Sequence, residues 1–281
     1  MSTITGTYEE DLAKLAQKAF DQARRTCGDC LAYHGVWGYQ RLARRNSGLD
    51  SDGKILQPLL GSLISKGRRR VLLAGSADTG QLAMVLRAAG RRKVDTTIVD
   101  RCETPLALCR EFAESHGVCV STREGNIASL GEDNAFDIVL AHSVLSFLPD
   151  DLVLPALAGF AAALGPNGRL VMTTALARTK PPIDPRVFAN RILMSMSKRG
   201  LEPPIDRAGF CELLEEYAKC RQTRGAPFSS VDDLGRSLSL AGFTTEQVID
   251  NKRGTRYLPD GTVSERVVPG VIVVARRTTG Q

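Results

Sequence analysis

The sequence predicts an α/β protein built on a doubly wound, mostly parallel sheet of seven strands. From residue 70 onward, short apolar runs alternate with helical patterns, and a glycine-rich turn follows the first run. Parallel neighbours need crossover connections, which are nearly always right-handed, so this alternation predicts helices on both faces of the sheet. Ligands of such sheets bind at the carboxyl ends of the strands. The candidate strands are residues 71–74, 96–99, 118–121, 136–141, 169–174, 244–249 and 267–276.

Residues 1–66 are expected to form a helical arm in front of the sheet domain, which we place at residues 67–281. Apolar residues at spacings of three and four predict an amphipathic helix over residues 10–25, and residues 52–67 predict a second helix. Tyr33, His34 and Trp37 lie between these helices in an aromatic-poor chain. Their density indicates either the wall of a substrate pocket or an anchor between the arm and the core.

Residues 178–230 interrupt the alternation and predict a helical cap. The segment is rich in proline, with helices expected at residues 185–197 and 206–221. An insertion after the fifth strand overhangs the carboxyl edge of the sheet. Met194 and Tyr217 are therefore candidates for the substrate pocket, although ordinary packing is the more common role of Met on such a helix.

Composition and termini indicate a soluble, cytoplasmic protein without a membrane partner. No apolar run has the length of a membrane span, and the N-terminus turns acidic where a signal peptide would carry basic residues. The net charge of +6 comes from short, separated basic clusters, which favours solvated strand edges over a nucleic-acid surface. The seven cysteines are expected to be reduced thiols. Cys27 and Cys30 form a CxxC, but no second CxxC or paired His follows, so we expect no zinc site and no bound metal.

The strongest local signal is a turn that joins the first strand to a helix in the tract VLLAGSADTGQLAMVL. Small residues at Gly75, Ala77 and Gly80 let a ligand approach the backbone closely. About twenty residues later, Asp100 ends the next strand, where an acid can bind the hydroxyls of an adenosine ribose. A helix N-cap is the alternative role of Asp100, and the turn by itself also suits a dinucleotide.

The third strand is followed by REGNIASL, and the fourth is framed as FDIVLAHSVLSFLPDD. With the glycine turn and Asp100 before them, these pieces occur in an order that resembles the class I S-adenosylmethionine (SAM)-dependent methyltransferases. The resemblance covers residues 69–174 and, for the final strand pair, residues 244–276. The tract LAGSADTG followed by VDRCETPL is similar to a bacterial subgroup of these enzymes. The resemblance implies a Rossmann-like sheet with an antiparallel last strand, SAM as cofactor and S-adenosylhomocysteine (SAH) as product.

The resemblance also implies which residues bind SAM: the glycine motif lies beneath its methionine portion, the acid binds its ribose, and the segments after the third and fourth strands lie beside its adenine and its amino acid portion. The residues concerned are Gly75, Ser76, Ala77, Asp78, Gly80, Asp100, Arg101, Asn126, Ile127, Ala141 and His142. Leu73 replaces the usual acid early in the motif, so the ammonium group of SAM needs another partner. Asp78 is the candidate, with a helix N-cap as its alternative role.

Methyl transfer from a sulfonium is an in-line displacement, in which the protein mainly aligns the acceptor with the methyl group and excludes water. A hydroxyl or acidic carbon also needs a base, and His142 has the expected position for one at the end of the fourth strand. A hydrogen bond at the strand end is its alternative role. His34 is the second candidate base, and Trp37 beside it would stack on a flat acceptor or enclose a cation.

Three other functions stay open at this point. A NAD(P)-dependent oxidoreductase would use the same turn and acid, but no Tyr-x-x-x-Lys pair follows. An RNA methyltransferase would account for the positive charge, but base-amine methylation in this fold usually uses Asn or Asp before Pro-Pro-aromatic, where this chain has AHSV. A SAM-binding module without turnover is the third. We favour a transferase whose acceptor is a small molecule such as a secondary metabolite, and the sequence leaves the oligomeric state open, a homodimer included.

Overall fold

The computed structural model describes residues 8–43, 48–131, 134–176, 184–222, 226–251, 256–257, 263–264 and 270–278. Its strands are β1 (Arg70–Ala74), β2 (Asp95–Asp100), β3 (Val120–Glu124), β4 (Phe136–His142), β5 (Leu164–Ala175), β6 (Phe243–Asp250), β7 (Arg256–Tyr257), β8 (Val263–Ser264) and β9 (Gly270–Arg277). Seven of them form one sheet in the order β3-β2-β1-β4-β5-β9-β6. The strand order therefore reverses between β1 and β4, which is where such sheets bind ligands.

The pairing of the strands confirms the predicted seven-stranded α/β sheet. Strands β1 to β5 pair in parallel, whereas β9 is antiparallel to both β5 and β6. The third strand begins at Val120, two residues later than expected. The N–H of Val118 donates instead to the carbonyl of Ala113 (2.9 Å) where the preceding helix ends. Gly117, with φ +65°, makes this helix ending possible.

Helices cover both faces of the sheet, as the alternation predicts. One face carries α3, α4 and α5, and the other carries α6 and α9. Each helix turns an apolar stripe inward, represented by Leu56, Leu82 and Leu106 on the first face and by Leu157 and Leu238 on the second. The helices are α1 (Tyr8–Thr26), α2 (Leu31–Ala43), α3 (Gly48–Ser65), α4 (Gly80–Ala89), α5 (Glu103–Ser115), α6 (Asp150–Ala163), α7 (Pro185–Ser197), α8 (Arg207–Gln222) and α9 (Val231–Leu240).

The N-terminal helices α1 and α2 pack with the cap helices α7 and α8 around a third apolar cluster. Phe210 contacts Phe20 and Tyr39, with ring centroids 6.3 and 5.2 Å apart. Helices α1 and α2 lie so close that a Cβ on Gly38 would stand 2.8 Å from the Cα of Ala16. Helix α3 packs on the sheet instead, so the helices of the predicted arm divide between two layers. The domain boundary at residue 66 stays a prediction.

Asp137 anchors the amino ends of β1 and β4, the edge opposite the expected ligand site. Its carboxylate accepts the N–H groups of Arg69 and Arg70 at 2.9 and 3.0 Å, and the Arg70 guanidinium at 2.8 Å. Burial alone would raise the pKa of Asp137, but these donors hold it below its ordinary value. This contact explains the Phe-Asp pair at the start of the fourth strand. Among the helices described, none combines the length and the apolar character that crossing a membrane requires.

Candidate functional site

The glycine-rich turn joins β1 to α4 at the carboxyl edge of the sheet. Gly75 has φ +76°, and its N–H donates to the carbonyl of Val99 at 2.8 Å. A Cβ on Gly75 would lie 2.5 Å from the Cγ2 of Val144, in the turn after β4. Glycine is therefore required both for its backbone conformation and for space. At the other end of the turn, a Cβ on Gly80 would lie 2.5 Å from the Cδ2 of Leu49 in α3.

Asp100 ends β2 beside this turn. Its Oδ2 accepts the N–H of Ser76 and its Oδ1 accepts the N–H of Cys102, each at 2.9 Å. Burial raises the pKa of this carboxyl, and the two N–H donors partly offset that effect. The N-cap of α5 is Cys102, so Asp100 does not have the alternative capping role. A carboxylate has about four lone-pair sites, so the two N–H bonds leave capacity for two further donors.

Asp78 ties the glycine turn to α2. Its Oδ2 accepts the indole N–H of Trp37 at 3.1 Å and the guanidinium of Arg41, and its Oδ1 accepts the N–H of Gly80 at 2.7 Å. Burial alone would raise the pKa of Asp78, but the charge and hydrogen bonds of Arg41 lower it. These contacts support an anchoring role for Asp78 over the predicted contact with the ammonium group of SAM. The hydrogen bond from Trp37 to Asp78 also supports the second of the two roles expected for Trp37, an anchor between the N-terminal arm and the core.

The other residues expected at the cofactor lie along the same edge. The Oδ1 of Asn126 accepts the N–H of Ala128 at 3.0 Å and so caps a short 3-10 turn after β3. Ile127 is buried behind it, Ala141 is buried near the end of β4, and Arg101 is exposed. The adenine contacts of this segment stay predictions; the Asn126 oxygen can accept a second donor beside its cap hydrogen bond.

His142 is the last residue of β4, and its Nε2 lies 2.7 Å from the Oδ2 of Asp52 in α3. The Asp52 side chain is fully buried, and its Oδ1 accepts the side-chain amide of Asn251 at 2.5 Å. The His142 side chain keeps 12% of its surface exposed. A carboxylate that binds one ring nitrogen fixes the orientation and tautomer of an imidazole, which leaves Nδ1 as the acceptor in the neutral ring. This is the arrangement of a base with an orienting acid.

The aromatic residues that the sequence assigned to a substrate pocket form one cluster around Tyr33. Its ring stacks on Tyr217 (5.8 Å), contacts Trp37 (5.7 Å) and meets the edge of Phe147 (5.2 Å). Tyr217 is buried beneath this cluster, whereas Phe147 is 41% exposed and faces outward. Met194 is 56% exposed, which does not support its expected place in a pocket wall.

The N-terminal CxxC lies in a cluster of four side chains, Cys27, Cys30, His34 and Cys102, whose sulfur and nitrogen atoms are all within 4.8 Å of one another. The hydrogen bond with Cys27 lowers the pKa of Cys102 to about 3 and raises that of Cys27. Burial alone would lower the pKa of His34, but its hydrogen bonds to Cys102 and Cys30 raise it to about 9. His34 is thus engaged in this cluster, away from the role of second base. The expectation of no metal rested on two ligands, and the structure brings together four.

Sequence reasoning did not single out three residues that make the hydrogen bonds and sulfur contacts just described: Asp52, Asn251 and Cys102. Asp52 lies 90 residues before His142 and 199 before Asn251, while Cys102 lies 72 residues after Cys30. An acid near a helix start, as at Asp52, is common for its interaction with the helix dipole and does not by itself indicate a site. One local feature could have drawn attention to Cys102, which lies two residues after Asp100 at the end of β2.

Comparison with known families favours a methyltransferase domain over the oxidoreductase considered above. Residues 72–168 match a family model described as a methyltransferase domain. Residues 72–168 therefore belong to a methyltransferase domain, with the fold of the class I SAM-dependent enzymes. The matched stretch runs from β1 into β5 and includes the glycine turn, Asp100 and His142. No curated protein sequence matches the methyltransferase.

Solved structures similar to the methyltransferase share its fold. The CurJ carbon methyltransferase has a TM-score of 0.57 at 16% identity, over 96% of this chain and 68% of that chain. The Burkholderia thailandensis 1,6-didemethyltoxoflavin-N1-methyltransferase, with bound 1,6-didemethyltoxoflavin and SAH, has 0.54 at 17%, over 99% and 94%. The cyclase SpnF has 0.52 at 16%, over 80% and 81%. At these identities the likeness concerns the fold alone, which hosts more than one chemistry.

SAM is the cofactor of this methyltransferase domain, and the residues at the carboxyl edge fit it. Gly75, with φ +76°, lets the turn pass close to Val144 at this edge without a side chain of its own. Asp100 is a partly buried acid whose oxygens can accept two more donors beside its two N–H bonds, which suits the two hydroxyls of a ribose.

Proposed function

We propose that this methyltransferase transfers the methyl group of SAM to a hydroxyl or another acidic group of a small-molecule acceptor, with His142 as the general base. The observation that carries the proposal is the 2.7 Å contact between His142 and the buried Asp52 at the carboxyl end of β4. A base must stand within hydrogen-bond reach of the proton it removes, at an edge that binds the reactants. His142 is partly exposed there, while its partner is not.

Bound SAM would supply the methyl group: the acceptor atom would form its bond to the methyl carbon as the carbon–sulfur bond breaks, and the electron pair would stay with sulfur in SAH. The acceptor proton passes to Nδ1 of His142, while Nε2–H donates to Asp52. Asp52 stabilises the imidazolium that forms, and Asn251 holds Asp52 in place. The remaining task of the protein is to align the acceptor and exclude water.

The acceptor side of the site is proposed to lie against the aromatic cluster around Tyr33. Phe147 follows His142 by five residues and has the exposed ring of the cluster. Aromatic faces of this kind bind flat, apolar molecules and do not require charge on them. The methyltransferases among the similar structures include one bound to a small heterocyclic compound, 1,6-didemethyltoxoflavin, which is consistent with an acceptor of that size. Cytoplasmic location, bacterial origin and a homodimer stay predictions.

Two measurements test the proposal. Titration calorimetry with SAH should show binding, and NAD should show none. Incubation with methyl-labelled SAM and whole cell extract, followed by separation of small molecules from RNA, should then transfer label to a small-molecule product. Failure to bind SAH would contradict the cofactor assignment, and label found only in RNA would contradict the acceptor class.

The base is tested with the identified acceptor. His142→Ala and Asp52→Asn should keep their SAH affinity but lose turnover by about 10² to 10⁴ fold, the usual contribution of general base catalysis. His116→Ala is the matched control, because His116 is an exposed histidine at the end of α5. Normal turnover in both variants would return the pair to a structural role.

A further inference from the structure

We propose that Cys27, Cys30, His34 and Cys102 form a tetrahedral zinc site that fixes the N-terminal helices to the cofactor-binding loop. Three thiolates and one imidazole are a common ligand set for structural Zn²⁺. Among the described residues, this is the cluster of His, Cys, Asp and Glu whose ligand atoms come close enough together to hold one ion.

Three of the six distances between ligand atoms lie close to the edges of a zinc tetrahedron. With bonds from zinc to sulfur of about 2.3 Å, two sulfur ligands stand about 3.8 Å apart. The Sγ of Cys102 lies 3.5 Å from that of Cys27 and 3.6 Å from that of Cys30, and the Cys27 Sγ lies 3.4 Å from Nδ1 of His34. Small movements of these side chains would bring all four to bonding distance of a common centre, since their ligand atoms already lie within 4.8 Å of one another.

Local backbone structure positions each ligand. Cys27 follows the end of α1, and Cys30 directly precedes α2. His34 is four residues after Cys30 and so lies on the same face of the first turn of α2. Cys102 is the N-cap of α5. Thiolates are favoured at helix N-termini, where the dipole stabilises negative charge.

A second layer of contacts supports the ligands, as is usual around structural metals. The hydroxyl of Thr104 lies 3.0 Å from the Sγ of Cys27, and the hydroxyl of Thr26 lies 2.7 Å from that of Thr104. His34 is buried, and the edge of its ring packs against Tyr33 with centroids 5.0 Å apart.

Two other accounts of the cluster make different demands. A disulfide needs two sulfur atoms about 2.05 Å apart and would use only one pair, leaving the buried His34 without a role. Simple packing of thiols as small apolar groups would not require a histidine nitrogen among them. A metal would bind all four groups as ligands of one centre.

The site would influence the cofactor through one hydrogen bond. The N–H of Cys102 donates to the Oδ1 of Asp100 at 2.9 Å, and the other oxygen of Asp100 holds the glycine turn through Ser76. A metal that holds Cys102 therefore also holds the acid assigned to the ribose. This step rests on the cofactor assignment, whereas the metal site itself does not.

Metal analysis of the full chain, purified under reducing conditions and dialysed against ZnCl₂ and then buffer, tests the site. We expect about one zinc ion per chain, released by a strong chelator together with a fall in Tm. Replacement by Co²⁺ should give the intense visible absorption of a tetrahedral thiolate site. Cys30→Ser and Cys102→Ser should weaken zinc binding by at least about tenfold. Cys119→Ser is the matched control, because Cys119 is exposed and outside the cluster, and it should bind zinc normally.

Absence of zinc from the reduced wild-type protein would overturn the proposal, as would undiminished zinc in both cluster variants. A zinc-free protein whose mass shows a disulfide between Cys102 and either CxxC cysteine would overturn it in favour of a redox pair. Chelator treatment should also weaken SAH binding by about tenfold, the usual effect of disturbing a supporting contact. Zinc binding with unchanged SAH affinity would overturn the link to Asp100, and it would leave the methyltransferase assignment intact.

Discussion

Replacing Asp100 is the sharpest test of the cofactor site, because the carboxylate has two tasks that can be measured separately. Toward SAM it is assigned two hydroxyl donors, and hydrogen bonds to a charged group contribute about 1.5–3 kcal/mol each. Asp100→Ala should therefore lose roughly 3–6 kcal/mol of binding, a rise in the Kd for SAH of about 10² to 10⁴ fold. Asp100→Asn keeps one acceptor oxygen and should lose about half of that free energy.

Toward the protein, Asp100 accepts the N–H groups of Ser76 and Cys102, each at 2.9 Å. The alanine variant deprives both donors of their acceptor, which costs up to about 1–3 kcal/mol of stability for each donor that water does not reach. The asparagine variant offers one oxygen and turns its NH₂ group toward the second donor, so it should also have a lower Tm than wild type.

Calorimetric titration with SAH and thermal unfolding together separate the two effects. Asp95→Asn is the control, because Asp95 is exposed at the opposite end of the same strand, and both its Kd and its Tm should match wild type. A Kd within threefold of wild type in folded Asp100→Ala protein would refute the ribose assignment.

Three further outcomes are expected. Gly75→Ala should lower both Tm and SAH affinity, because the position has φ +76° and a Cβ would lie 2.5 Å from the Cγ2 of Val144. The control is Gly235→Ala, which has open space around it and should be neutral or slightly stabilising in the same titration and thermal melt. Asp78→Asn should lower Tm at pH 7. Folding lowers the pKa of Asp78, so the stability that its carboxylate contributes is present above the unfolded pKa and is lost as the pH falls through the folded pKa. The difference in Tm between wild type and variant should therefore shrink below about pH 4. A difference in Tm that does not depend on pH would contradict the ion pair with Arg41. Gly38→Leu should lower Tm by separating α1 from α2 at Ala16, and an unchanged melt would contradict that crossing.

Much of the fold was predictable because its signals are local. The periodicity of each strand and helix is read from a few consecutive residues. The small residues of the glycine turn and Asp100 lie within a single βαβ unit, from β1 to the end of β2. The start of β3 was predicted two residues too early because the N–H of Val118 donates to the end of the preceding helix at Gly117 and is not free to pair with β2.

Side-chain roles were less predictable, because the role of a polar side chain depends on which groups contact it in the folded protein. From the sequence, Asp78 suits an ammonium ligand or a helix N-cap equally well, and only the approach of Trp37 and Arg41 indicates a third role as an anchor. His34 reads as a base beside aromatic residues, yet it is engaged by three cysteines, one of them far along the chain.

The sequence by itself determined the sheet, its ligand-binding edge and the position of the acid assigned to the cofactor, because backbone patterns and the order of motifs carry that information. Only the tertiary structure decided which groups meet at that edge: Asp52 behind His142, and Cys102 beside the N-terminal CxxC. Hydrogen bonds and metal coordination depend on distances of a few ångströms between residues that 70 or more positions separate, as in these two cases. Chain folding sets those distances, and spacing along the sequence does not record them.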